Sequence, residues 1–164
     1  MGTSPTHRYR LTLSWEGNQG TGTSSYLHYG RQYRVRVPGK ADLTGSADPA
    51  FRGDARLHNP EDLLVAALSG CHMLSYLALC ARAKLSVLAY TDEAEGVMVV
   101  RPDGGGSFQE VVLHPRVVVA PGSDVALATA LHEKAGEQCF IAASVNFPVR
   151  HVPEVRLATE GEGR

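Results

Sequence analysis

Residues 59–82 read NPEDLLVAALSGCHMLSYLALCAR, and this stretch decides the fold. Asn59 is a residue type that caps helices well, Pro60 suits the first helical position, and the two acids that follow complement the positive end of the helix dipole. Apolar residues then recur at spacings of three and four until about Lys84. The pattern predicts a helix from Pro60 to about Lys84. Because apolar residues cover nearly every side, it also predicts that this helix is buried all round.

Two strands are predicted before this helix. Residues 9–15 alternate apolar and polar side chains, residues 26–37 do so in part, and glycines lie between the two segments. The alternation indicates a meander of antiparallel strands. Residues 40–58 follow as a long loop, and a loop of this length in a compact domain is often functional.

A hairpin of two long strands is predicted after the helix. Residues 86–100 and 108–120 are rich in β-branched residues, and Pro102 and a run of three glycines separate them. Four apolar residues of the second strand are expected to point inward. They are Val111, Leu113, Val117 and Val119.

A second helix and a last strand complete the pattern. Ser123 or Asp124 can cap a helix that runs to near Cys139, and residues 144–155 return to strand. The order is therefore strands, helix, strand pair, helix and strand. This order predicts an α+β fold in which helices cover one face of antiparallel sheet.

The composition is that of an ordinary globular protein. Hydrophobic residues make up 43% of the chain and charged residues 20%, which excludes the composition of a disordered protein. The 164 residues fit one domain, predicted at residues 1–158, with residues 159–164 as a disordered tail. The formal net charge is -1 and the arginines are scattered, so no nucleic-acid binding is expected.

One segment raises the question of a membrane. Residues 63–80 carry no formal charge and reach the length of a spanning helix. They include Ser69, His72 and Tyr76, which hydrocarbon would penalise, so we interpret the segment as a core helix and expect no membrane. The polar N-terminus lacks the apolar core of a secretory signal. A cytoplasmic location is therefore expected.

Three cysteines are the residues most able to carry chemistry. An odd number argues against a structural disulfide framework and leaves three uses: core thiols, metal ligands or redox groups. Cys71 and Cys80 lie nine residues apart, which places them on opposite faces of the helix and about 13 Å apart along its axis. These two cannot form a disulfide with each other. Cys139 can lie beside Cys71 only if the two helices pack together.

A metal site is the other common use of thiols. Candidate ligands are Cys71, His72, Cys80, His132 and Cys139, but no paired Cys-x-x-Cys or His-x-x-x-His spacing supports zinc. His132 is expected to be an exposed polar residue. A hydrolase based on Cys71 and His72 is disfavoured because adjacent helical residues point about 100° apart. We expect no metal and no cofactor.

The first helix resembles that of a known family. Asn59-Pro60-Glu61, a run of small and apolar residues and then Gly70-Cys71 follow one another as in the OsmC and organic hydroperoxide resistance family. In that family the reactive Cys comes ten residues after the Glu, and Glu61 and Cys71 keep that interval. The segment Ser14-Trp15-Glu16-Gly17 and the later Cys139 match as well. The resemblance covers residues 11–152.

The resemblance implies an α+β fold of antiparallel sheets with two principal helices, in an intertwined homodimer. It also implies a cofactor-free, cysteine-based peroxidase that reduces organic hydroperoxides. Cys71 is oxidised to a sulfenic acid, which Cys139 captures as a disulfide. An external dithiol, either a small thiol or a lipoyl-type protein, then reduces the disulfide.

An Arg and Glu pair activates the thiolate and polarises the peroxide in that family. Glu61 matches the acid. Arg52 is our first choice for the cation, and Arg31 is the alternative because in the hydroperoxide resistance branch the Arg comes much earlier in the chain. Phe140 follows Cys139 where family members usually have Pro. The alternative function is a non-catalytic protein of the same fold that binds a small hydrophobic ligand at the dimer cleft.

Overall fold

The computed structural model describes residues 4–159, which form nine strands and two α-helices. The chain divides into two compact units, Met1–Leu63 and Leu64–Arg164. One domain at residues 1–158 stays a prediction, and of the predicted tail only Thr159 lies within the described residues. The elements are β1 Thr12–Trp15, β2 Tyr33–Arg36, β3 Leu43–Gly45, α1 Pro60–Arg82, β4 Val87–Asp92, β5 Glu95–Val100, β6 Gly106–Leu113, β7 Pro115–Val119, α2 Val125–Gln138, β8 Val149–His151 and β9 Glu154–Leu157.

The first unit contains one antiparallel sheet with the strand order β1, β2, β3. β1 and β2 are shorter than predicted, and β3 lies in the segment that was expected to be a loop. Before β2 the Arg31 guanidinium lies over the rings of Tyr26 and Tyr29, at 4.6 and 3.9 Å from their centroids. Arg31 also donates hydrogen bonds to the carbonyl oxygens of the same two tyrosines.

Helix α1 begins at Pro60, as predicted, and Asn59 caps it. The Asn59 side-chain oxygen accepts the Asp62 N–H at 2.8 Å, and the Asp62 carboxylate accepts the Asn59 N–H at 3.3 Å. Two backbone donors are thus satisfied reciprocally. The helix ends at Arg82, close to the predicted end, and Lys84 then takes a left-handed conformation with φ 59°.

The prediction that α1 is buried all round is wrong. The core of the second unit covers one side of the helix, and Leu74 on another side is 64% exposed. Within residues 4–159, α1 is the one helix whose length and composition would suffice to cross a membrane, a test that the core helix of a soluble protein passes too. The buried residues recur every four positions. They are Leu68, His72, Tyr76 and Cys80.

The predicted hairpin forms, but a bend divides it between two sheets. β4 pairs with β7 and β5 pairs with β6, both antiparallel. At the bend the Asp92 carboxylate accepts the His114 N–H at 2.7 Å and the Ser69 hydroxyl at 2.5 Å. Pro115 then begins β7. These contacts fix the point at which the strands leave one sheet and enter the other.

The last two strands pair in parallel, β8 with β6 and β9 with β7. The sheets of the second unit are therefore mixed, where the sequence pattern indicated antiparallel sheet alone. Helix α2 is the reason, because it forms the crossover connection that parallel pairing needs and packs on β8 and β9.

The core of the second unit contains the residues that the sequence pattern placed there. Helix α2 begins after Asp124, whose carboxylate accepts the Leu127 N–H at 2.9 Å, so Asp124 is the cap of the two candidates. The four strand residues expected to point inward are at most 1% exposed, which confirms that prediction. They are Val111, Leu113, Val117 and Val119.

Candidate functional site

Cys71 and Cys139 lie side by side, one on α1 and one at the end of α2, and the two thiols are close enough to affect each other electrostatically. Cys71 is half-buried, whereas Cys139 is 2% exposed. Both are free thiols. The structure thus brings together the two sulfurs that the sequence could pair only through the resemblance.

The surroundings of Cys139 keep its sulfur protonated. Burial raises the pKa of the Cys139 thiol, and the neighbouring Cys71 raises it further. The N–H groups of Ala142 and Ile141 oppose this shift, and the first of them donates to the sulfur at 3.4 Å. The net direction is upward, so Cys139 is a thiol and not a thiolate at neutral pH.

An open groove of about 790 Å³ is lined by both cysteines. Its walls come from α1 and from the end of α2, and most of the lining side chains are small or apolar. Leu74 and Phe140 are the largest apolar ones, and Arg82 and Glu137 are the charged ones. Such a groove favours a molecule with an apolar body.

A second, smaller cavity of about 130 Å³ also reaches Cys139. His72 and His151 line it from α1 and from β8. His151 Nε2 lies 3.3 Å from the Glu133 carboxylate, and the ring lies over Gly136, where a Cβ would be 3.4 Å from its Cε1. Nothing in the sequence pattern singled out His151 as a neighbour of Cys139.

His72, which lines this cavity, is buried beside a second histidine, His132. His72 Nε2 and His132 Nδ1 are 3.0 Å apart, and His132 stacks on Tyr76 with ring centroids 3.8 Å apart. Burial lowers the pKa of His72 to about 4 and that of His132 to about 3, so both are neutral at neutral pH. The expectation that His132 is exposed is wrong. It is fully buried because it shares the inward face of α2 with Ala128 and Ala135.

The third thiol, Cys80, is a core residue. It is 1% exposed, and burial raises its pKa. The neighbouring Tyr76 hydroxyl donates to the Ala128 carbonyl at 3.0 Å. Within residues 4–159, no group of three or more His, Cys, Asp or Glu side chains is arranged to hold a metal ion.

The first unit holds the other predicted site residues. Arg31 and Glu61 line one groove of about 200 Å³, together with Tyr33, whose pKa is raised by burial and by the charge of Glu61. Arg52 is exposed, ends the short 3-10 helix Pro49–Phe51 with φ 67°, and is not among the described residues that line this groove. The catalytic roles of Glu61, Arg52 and Arg31 stay predictions.

Comparison with known proteins assigns the family. The family model for OsmC, described as OsmC-like protein, matches residues 53–153. The uncharacterized protein YmaD of Bacillus subtilis is 26% identical over 162 residues, which cover 95% of this chain and 98% of that protein. An OsmC-like protein of unknown function from Vibrio cholerae is 29% identical with a TM-score of 0.82, covering 91% of this chain and 100% of that one.

Two more distant structures share the fold. An organic hydroperoxide resistance protein from Elizabethkingia anophelis has a TM-score of 0.67 at 19% identity, covering 95% of this chain and 100% of that one. The organic hydroperoxide resistance protein OhrB of Bacillus subtilis has a TM-score of 0.61 at 17% identity, covering 92% of this chain and 98% of that one. The matched segment includes the two adjacent thiols and nearly all of the second unit. The chain belongs to the OsmC-like protein family.

Proposed function

We propose that the protein is a thiol peroxidase that reduces organic hydroperoxides through Cys71 and Cys139. The observation that carries the proposal is that these two thiols are neighbours in an apolar groove. The family supports it, because structural neighbours of this chain include proteins named organic hydroperoxide resistance proteins.

The proposed chemistry needs only the two sulfurs and an external dithiol. The Cys71 thiolate attacks the outer oxygen of the hydroperoxide, so that a sulfur–oxygen bond forms, the oxygen–oxygen bond breaks and the alcohol leaves after taking a proton. Cys139 then attacks the resulting sulfenic acid, which forms the disulfide and releases water. An external dithiol reduces that disulfide. The reducing cytoplasm, where we expect the protein to act, contains such dithiols.

The apolar groove supports the proposal that the substrates are organic hydroperoxides. An alkyl or aryl group can be buried against side chains such as Leu74, whereas hydrogen peroxide has no apolar part to bury. Each buried methylene contributes about 0.8 kcal/mol, so even a small organic group gives several-fold tighter binding.

Glu61 and an arginine are proposed to assist Cys71, as the resemblance implies. Arg31 is now supported over Arg52, because Arg31 and Glu61 line the same groove in the first unit. A homodimer is proposed as the assembled form, and the exposed side of α1 with Leu74 is an apolar surface of the kind that interfaces cover. Light scattering over a range of protein concentrations tests the dimer.

Stopped-flow oxidation of the reduced protein tests the peroxidase directly. Cumene hydroperoxide should oxidise the protein at least about tenfold faster than hydrogen peroxide, and mass spectrometry should find a disulfide between Cys71 and Cys139. Cys71→Ser should abolish the reaction, and Cys139→Ser should stop it at the sulfenic acid. If Cys71 reacts no faster than a free thiol in solution, the protein is not a peroxidase.

A second function is favoured by the size of the groove. A volume of about 790 Å³ lies in the range of small-molecule sites, so a non-catalytic member of the family could bind an apolar ligand there. Such a protein would need no contact between its thiols. The same experiment separates the two functions, because a binder would leave Cys71 unoxidised while an apolar fluorescent probe still bound to the groove.

A further inference from the structure

The second chemical step poses a problem for Cys139. Its sulfur must lose a proton when it attacks the oxidised sulfur of Cys71, yet burial and the neighbouring Cys71 hold its pKa above the ordinary value. At neutral pH the resolving residue is therefore a thiol in a buried position. A nearby group that accepts the proton would speed the step.

His151 is placed to be that group. Cys139 caps the end of α2, and its N–H donates to the Gly136 carbonyl at 3.3 Å, so the two residues are neighbours. A Cβ on Gly136 would lie 3.6 Å from His151 Nδ1. His151 and Cys139 also line the same cavity of about 130 Å³, which is large enough to hold water.

Glu133 orients the imidazole. Its carboxylate lies 3.3 Å from His151 Nε2, which favours the neutral tautomer with its hydrogen on Nε2 and the lone pair on Nδ1. The nitrogen over Gly136 is then the basic one. A base whose second nitrogen is held by a carboxylate is the arrangement that activates nucleophiles in many enzymes.

The other titratable groups around the cavity are poorer acceptors. From α1, His72 already has its Nε2 against His132, and burial lowers the pKa values of both histidines. From α2, Glu133 and Glu137 are carboxylates, which are much weaker bases than imidazole. On β8, the guanidinium of Arg150 pairs with Glu110 and can accept no proton.

We propose that His151, oriented by Glu133, accepts the proton that Cys139 releases when its sulfur attacks oxidised Cys71. This inference rests on the proposed function. The new sulfur–sulfur bond forms as the sulfur–oxygen bond of the sulfenic acid breaks, and the proton passes through the small cavity to Nδ1. The imidazolium then returns a proton to the departing hydroxide, which leaves as water. Glu133 is a positioning residue in this step.

The test uses disulfide exchange, so that it does not depend on peroxide chemistry. Reduced full-length protein is mixed with dithionitrobenzoate, an aromatic disulfide whose released thiolate absorbs visible light. Attack by Cys71 releases one aromatic thiolate. Cys139 then attacks the mixed disulfide at Cys71, a step called closure here, and releases a second aromatic thiolate at a rate independent of reagent concentration. Cys139→Ser should lack this second phase. The closure rate is measured from pH 5 to 9.

In the wild-type protein the closure rate should rise with pH as the imidazole becomes free to accept a proton, and then level off. His151→Gln should close at least about tenfold more slowly at pH 7, and its rate should keep rising with pH as the thiol itself ionises. Glu133→Gln should slow closure about threefold. Arg150→Gln, one position away on the same strand and exposed, is the matched control and should stay within about twofold of wild type.

Thermal unfolding of each variant separates a chemical effect from a folding defect. If His151→Gln is unstable, Glu133→Gln still tests the proposal, because the Glu133 side chain is 79% exposed and its replacement should not disturb folding. Closure rates and pH profiles that match wild type in both variants would overturn the role of His151. If Cys71 does not react with hydroperoxide, the proposed peroxidase activity is contradicted. The disulfide-exchange assay would still test the role of His151.

Discussion

His72 Nε2 lies 3.0 Å from His132 Nδ1 in the core of the second unit, and both rings are neutral there. In the unfolded chain these histidines become protonated below about pH 6.5. In the folded protein they stay neutral down to about pH 4 for His72 and about pH 3 for His132. Between these limits the unfolded state binds more protons, so stability falls as pH falls. We expect a loss of up to about 1.4 kcal/mol per pH unit for each histidine between pH 6 and 4, measured by urea unfolding.

The variant His132→Gln checks this source of the pH dependence. It removes one of the two histidines that take up a proton when the protein unfolds in acid. The slope of unfolding free energy against pH should therefore decrease by up to about 1.4 kcal/mol per pH unit. His28→Gln, at an exposed position in the first unit, should leave the slope unchanged. An unchanged slope in His132→Gln would show that other groups cause the acid sensitivity.

Leu74 should set the preference for organic peroxides. It lines the groove three residues after Cys71 on the same helix and lies outside the core clusters of the second unit, so its replacement should not unfold the subunit. Leu74→Asn should lower the rate constant for cumene hydroperoxide about fivefold and leave that for hydrogen peroxide within about twofold, as expected for a loss of about 1 kcal/mol of apolar contact. Leu127→Asn on α2 is the matched control. Equal losses for both peroxides would contradict the assignment.

The Tyr76 hydroxyl should stabilise the packing of α1 on α2. Tyr76→Phe keeps the ring on His132 but removes the hydrogen bond to the Ala128 carbonyl, which we expect to cost about 1 kcal/mol of unfolding free energy. Tyr90→Phe is the opposite case, because the buried Tyr90 hydroxyl has no hydrogen-bond partner among the described residues. Its removal should be neutral or slightly stabilising. Chemical denaturation of both variants measures the difference.

Arg31 should matter more than Arg52 for the oxidation of Cys71. Arg31→Gln should slow the reaction with cumene hydroperoxide by about tenfold or more, since removal of a catalytic charge contact commonly costs this much. Arg52→Gln should stay within about twofold. Arg31→Lys, together with circular dichroism, controls for the loss of the contacts that Arg31 makes to Tyr26 and Tyr29. The reverse ranking of the two variants would assign the cation to Arg52.

Local signals in the sequence predicted the fold best. The start of α1 depends on Asn59 and Asp62, which are three residues apart, and the cap of α2 on Asp124 and Leu127. The bend in the hairpin could not be predicted in this way. It depends on a bond between Asp92 and His114, which are 22 residues apart in sequence and meet only after the strands have paired.

The candidate site shows the same limit. Spacing along α1 excluded a disulfide between Cys71 and Cys80, but only the packing of α2 against α1 brings Cys139 to Cys71. The periodicity of apolar residues also failed to predict the burial of His132, because a polar residue on the inward face of a helix does not add to that periodicity. His151 could not have been found, since the parallel pairing of β8 brings it into the same cavity as Cys139.

The burial of Cys80 supplies an internal standard for counting thiols. A polar reagent should miss its sulfur in the folded protein and find it after denaturation, because only unfolding exposes a side chain that is 1% accessible. Denatured reduced protein should therefore titrate as three thiols per chain. Protein that has completed one turnover without reductant should titrate as one. Denaturation therefore adds one reactive thiol, Cys80, for every chain in the sample. The ratio of the thiols that react before denaturation to this added thiol gives the fraction of chains with an oxidised pair, without a separate measurement of protein concentration.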